Sequence, residues 1–114
     1  MTKIINKTKG IIISDDCIIC ESILSKARGM MGLKKPLSLV FKFKKMAIVS
    51  LHMYFVKFPI DVMFIDFDNK VVEVKRDFRP GETYTPKNKA AYVVELSVGS
   101  LDGTEEGDEI CGLT

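Results

Sequence analysis

The chain has 114 residues, 46% hydrophobic and 28% charged, with seventeen Lys and Arg, fifteen Asp and Glu, and a net charge of +2. That length supports one hydrophobic core and not two, and the composition excludes a chain disordered throughout. No stretch approaches the roughly twenty apolar residues of a membrane-spanning helix. The charge is uneven, with +8 on residues 1–92 and −6 on residues 93–114. Such asymmetry means either a basic binding face or an acidic tail lying over a basic body, and the second is expected.

In chain order, the start Met1-Thr2-Lys3-Ile4-Ile5-Asn6-Lys7 interrupts its apolar run too early for an export signal, so a cytoplasmic setting is expected. Residues 2–20 read as strands with a break near Lys9-Gly10 and a turn at Ser14-Asp15-Asp16. Ile11-Ile12-Ile13 and Ile18-Ile19 are β-branched runs suited to a pleated surface. Residues 22–31 are the best helix candidate. Ile23, Leu24, Ala27, Met30 and Met31 share one face, Ser22 can cap the start, and Gly32 sits where a C′ glycine would.

After Pro36 the period changes to two, predicting a strand with Leu37, Leu39, Phe41 and Phe43 inward and a basic outer face. Residues 48–56 read as a further strand. Ile60 to Phe67 is apolar on both faces and therefore predicted to be central. Asp68-Asn69 is a turn signal, with Lys70 to Arg76 returning as hairpin partner. Ala90 to Val98 is a last long strand, and Glu109-Ile110-Cys111 a short closing one. The sum is a mainly β fold: a small barrel or sandwich of about seven or eight mostly antiparallel strands, with one helix packed at an end, in a single domain over residues 1–114.

Three blocks carry a family resemblance: Ala27-Arg28-Gly29-Met30-Met31; Leu51-His52-Met53-Tyr54-Phe55 with Ile60-Asp61-Val62-Met63-Phe64-Ile65-Asp66; and Ala91-Tyr92-Val93-Val94-Glu95-Leu96 with Gly99 and Gly107-Asp108. Together they resemble the domain-of-unknown-function 192 family, archaeal type, from about Ile23 to Ile110. The resemblance implies a compact β-rich fold with a packed helix, and it implies no reaction.

Within these blocks a few polar residues are embedded in apolar sequence. Asp61 sits in a strand predicted to be buried on both faces, where a carboxylate needs a partner. Arg28 is a candidate partner, making Asp61 either a ligand-binding acid or a strut between helix and sheet. His52, the only histidine, shares a strand face with Ser50 and Tyr54. Arg28, His52, Tyr54, Asp61 and Asp66 are the expected polar lining of a cleft taking a small molecule or a partner segment. No cofactor and no metal are implied. Cys17-Ile18-Ile19-Cys20 matches the CxxC spacing of zinc and redox sites, and Cys111 and His52 would complete a ligand set. Residues three apart on a strand, however, point to opposite faces. No nucleophile elbow, phosphate loop or EF-hand is present.

The leading expectation is a non-enzymatic binding domain. One alternative is an enzyme using Asp61 or His52 as general base. A further alternative is a nucleic-acid module built from Lys34, Lys35, Lys42, Lys44, Lys45, Lys57, Lys75, Arg76, Arg79, Lys87 and Lys89 with exposed aromatics. A net charge of +2 keeps this from being the default.

Overall fold

The structure, a computed structural model, describes residues 2–21 and 29–113. These form nine strands: β1 (Thr2–Asn6), β2 (Ile11–Cys20), β3 (Leu39–Ala47), β4 (Leu51–His52), β5 (Ile60–Ile65), β6 (Val71–Phe78), β7 (Thr83–Tyr84), β8 (Ala90–Ser97) and β9 (Ile110–Cys111). Seven make one sheet in the order β6-β5-β8-β3-β2-β1-β9, and β4 and β7 pair separately. All pairings are antiparallel except β2 with β3, which run parallel.

The large sheet curls until its two edges meet. Lys70 bridges Glu109. Around that bridge the Val71 amide donates to the Asp108 carbonyl at 2.9 Å, and the Ile110 amide to the Asn69 carbonyl at 2.8 Å. Inside the curl lie Ile4, Cys17, Val40, Met63, Ile65, Val71, Val94, Leu96 and Ile110, so all seven strands contribute to one core. Burying that surface is the main force holding the curl. A second cluster lies on the outer face of β2, β3, β5, β6 and β8. Cys20, Leu39, Phe41, Ile60, Val62, Phe64, Phe78 and Val93 are covered there by Met30, Met53 and Val56. Strand β5 therefore buries all six residues and has neighbours on both sides, as its two apolar faces predict.

Three expectations need correction. Most of the predicted helix, residues 22–28, lies outside the described residues. Its expected last turn does not form: residues 29–32 are a turn, with Gly29 at φ 49° and Gly32 at φ 75°, left-handed values that stop a helix. No helix occurs among the described residues, and loops rather than a helix cap their outer face. The strand expected over 48–56 shrinks to Leu51–His52, because the chain turns at Met53–Val56, where the Val56 amide donates to the Met53 carbonyl at 3.3 Å. Lastly, β3 carries no wholly basic face, since Val40 is buried in the inner core.

Candidate functional site

Asp61 is 1% exposed and points with Met63 and Ile65 toward the inner face. Opposite it β6 carries a bulge: Ile60 pairs with Phe78 and Val62 with Lys75, so Arg76 and Asp77 together face one residue. The bulge puts Asp77 at φ 51° and frees its amide, which donates to Asp61 Oδ1 at 3.0 Å. Asp61 Oδ2 accepts from the amides of Gly99 at 3.0 Å and Leu101 at 3.1 Å. Arg76 supports the same loop through its guanidinium, donating to the carbonyls of Leu101 and Thr104. Asp61 thus ties β5 to the bulge and to the loop after β8. Arg28, its expected partner, lies outside the described residues.

Asp66 stands just past the other end of β5. Its Oδ1 accepts the amides of Asp68 and Lys70, both at 2.9 Å, shaping the hairpin turn in which Asn69 takes φ 63°.

His52 and Tyr54 belong to a different surface. Met53 and Val56 beside them pack on the outer cluster, so this corner and Asp61 lie on opposite faces of the sheet. The corner is pinned by three backbone hydrogen bonds, two to the Gly81–Glu82 turn and one to Gly32. The Met53 amide donates to the Glu82 carbonyl at 2.8 Å, the Gly81 amide to the Met53 carbonyl at 3.0 Å, and the Gly32 amide to the Phe55 carbonyl at 3.0 Å. The Tyr54 amide donates to His52 Nδ1 at 3.3 Å, and the two rings stack with centroids 4.9 Å apart at 24°. Phe55 holds φ 62°, costly for a bulky L-residue, and is 79% exposed, while Tyr54 is 51% exposed. Of the expected lining, then, only His52 and Tyr54 are brought together among the described residues.

Three buried acids lie outside the expected set: Asp108, held by Asn6 Nδ2 at 2.8 Å and Lys9 Nζ at 2.9 Å, and the more informative Glu73 and Glu95. Glu73 accepts from the Tyr84 hydroxyl, the amides of Lys87 and Asn88, and Asn88 Nδ2. Burial alone would raise its pKa, but these hydrogen bonds outweigh burial and hold it below the ordinary carboxylate value. Tyr84 is pushed up to about 12 by burial and by the Glu73 carboxylate. Glu95, 8% exposed, faces the outer cluster beside Gly29 and Phe41. No hydrogen bond reaches it from the described residues, and burial raises its pKa to about 7. An acid inside an otherwise apolar alternation, Ala91-Val93-Glu95 and Val71-Glu73, is the signal that could have marked both.

Cys17 packs in the inner core and Cys20 in the outer cluster, so the CxxC pair is split between faces. All three cysteines are free, and burial raises the thiol pKa of Cys17 and Cys20. Among the described residues no group of three or more His, Cys, Asp and Glu could hold a metal ion. No described helix is long and apolar enough to cross a membrane.

The model of the DUF192 family, described as Uncharacterized ACR, matches residues 4–111. The chain belongs to this family. A UPF0127 protein of Thermococcus sibiricus is 36% identical over 112 residues, covering 94% of this chain and 72% of that protein. A UPF0127 protein of Pyrococcus abyssi is 32% identical over 119 residues and matches both chains over their whole length. The DUF192 chain also shares its fold with two crystal structures. One, from Sinorhizobium meliloti 1021, is provisionally described as a transcription regulator (TM-score 0.84, 21% identity, 97% of this chain and 91% of that one). The other is a protein of unknown function from Novosphingobium aromaticivorans (TM-score 0.82, 15% identity, 96% and 81%). At these identities the likeness is one of fold.

Proposed function

We propose that this DUF192 chain is a small single-domain binding module without catalytic activity, working in the cytoplasm, whose contact surface is the corner His52-Tyr54-Phe55. The observation that carries the reading is the state of Phe55: a bulky side chain in a left-handed conformation, 79% exposed, with its backbone fixed by neighbouring loops. Folding gains little from such an arrangement, and strain of this kind collects at recognition sites. Arg28 stays in the proposed set as the residue four before Gly32, whose amide holds Phe55. Asp61 and Asp66 serve as struts that fix the sheet beneath. The general-base alternative has less support, because both Asp61 oxygens accept backbone amides and His52 lies on the opposite face. Three free cysteines suit a reducing compartment.

A thermal-shift screen against metals, nucleotides, sugars and short oligonucleotides tests the reading. A ligand at about a hundredfold its Kd adds about 2.7 kcal/mol, or roughly 10 °C for a domain this size. The shift should vanish in Tyr54→Ala and Phe55→Gly while the unliganded melting temperature stays near the native value. A shift that survives both substitutions, or none from any class, removes the corner as the site.

A further inference from the structure

The overall charge conceals a local segregation. Acids of the C-terminal region are spent on one side of the molecule, where Glu105 and Asp108 pair with Lys9, and Glu109 with Lys7 and Lys70. Residues 29–60 by contrast contain six lysines and no Asp or Glu. Of the six, Lys42 is paired with Glu21; Lys34, Lys35, Lys44, Lys45 and Lys57 are exposed and make no ion pair with the described residues. This acid-free stretch contains the His52-Tyr54-Phe55 corner. Lys57 follows Phe55 by two residues, and Lys34 and Lys35 follow Gly32, whose amide bonds the Phe55 carbonyl. Glu82, whose carbonyl accepts the Met53 amide, turns its carboxylate to the Arg79 amide at 2.7 Å.

We infer that the partner of this corner is single-stranded nucleic acid, its bases stacking on the Tyr54–His52 pair and on Phe55, its phosphates neutralised by Lys34, Lys35 and Lys57. The inference rests on the corner being the binding surface and adds the class of partner. Three features favour this partner. The Tyr54 amide fixes the imidazole through Nδ1, so two rings already lie nearly parallel and offer a flat outer face to a third. A fixed ring beside unpaired lysines is the combination that holds unstacked bases and tracks a phosphate backbone with little sequence preference. Rings projecting from a corner have no access to base faces inside a duplex, so single strands should be preferred. Flat, mutually stacked rings are also better suited to a further ring than to acyl chains, which argues against a membrane surface.

The test uses the whole chain and a fluorescent twenty-nucleotide oligothymidylate, followed by anisotropy. Binding should weaken about 5- to 100-fold in each of Tyr54→Ala and Phe55→Gly. With about three phosphates neutralised, log K should fall against log salt with a slope near −2, shallower by about 0.7 for each of Lys34→Gln and Lys57→Gln. A duplex of the same length should compete poorly. Binding untouched by both aromatic substitutions, equal competition by duplex, or attachment to anionic phosphatidylserine vesicles without oligonucleotide binding would each overturn the inference. If the oligonucleotide fails while another ligand class gives a corner-dependent thermal shift, only the nucleic-acid assignment falls. If nothing depends on the corner, the binding surface falls with it.

Discussion

Asp61 and Glu95 are buried acids on neighbouring strands, and they differ in almost everything else. The register pairs Asp61 with Leu96 and Val62 with Glu95, so one residue separates them along the ladder. Alternation sends Asp61 to the inner face and Glu95 to the outer. Asp61 meets three backbone amides that a bulge and a loop leave without strand partners. Glu95 meets Phe41, Cys20 and the Gly29 turn, which offer it no hydrogen bond. The inner face thus uses its polar groups to close the fold. The outer face carries groups that folding does not need: an acid with no hydrogen bond from the described residues and, at its corner, a strained exposed phenylalanine.

Asp61→Ala should be the most damaging single change, costing about 4 kcal/mol, since it leaves three amides at a mostly buried site without acceptors. Chemical denaturation checks this, and a loss under 1 kcal/mol would mean that water replaces the carboxylate and the face is not closed by it. Glu73→Ala comes next, at about 3 kcal/mol, releasing Tyr84 and the 85–88 segment. Because the folded pKa of Glu73 lies below its ordinary value, its ionic contribution is present above about 4.5 and is lost as pH falls through the folded pKa. The difference between native and variant should therefore narrow in acid.

Glu95 runs the other way. Its folded pKa of about 7 lies above the ordinary 4.5. Between those values the folded chain keeps a proton that the unfolded chain releases, so stability falls as pH rises through this window and is lowest above it. Glu95→Gln should change little at pH 5 and raise stability by about 2 to 3 kcal/mol at pH 8. Melting curves at both pH values decide it, and equal effects would mean that the acid is ionised and paired. Phe55→Gly should have the smallest effect, a gain of up to about 1 kcal/mol, because glycine accepts φ 62° without strain. A marked loss would show that the corner serves folding and would sink its binding role.

Much of the fold could be read from local pattern. The all-apolar run Ile60–Ile65 had to be central, Asp68-Asn69 had to turn, and the CxxC sulfurs had to part to opposite faces. Each follows from side-chain alternation or turn chemistry over a few residues. The candidate site was less legible. Arg28, His52, Tyr54, Asp61 and Asp66 share polarity within apolar sequence, a property that does not distinguish a strut from a contact. Alternation sends Asp61 inward, but the bulge that brings the Asp77 amide to it and the early turn that sets the His52 corner on the other face have no strong local signature.

The β class, the central position of β5, the β5–β6 hairpin and the family are all legible in the chain's local pattern. These depend on period, burial and turn residues that act over a few positions. Long-range contacts set the rest: the sheet curls until β6 and β9 meet, three backbone amides hold Asp61, and Phe55 stands outside. Those outcomes rest on contacts between segments far apart in the chain, such as Lys70 with Glu109 and Asp61 with Leu101. No local preference specifies which distant amide will be left unpaired and within reach.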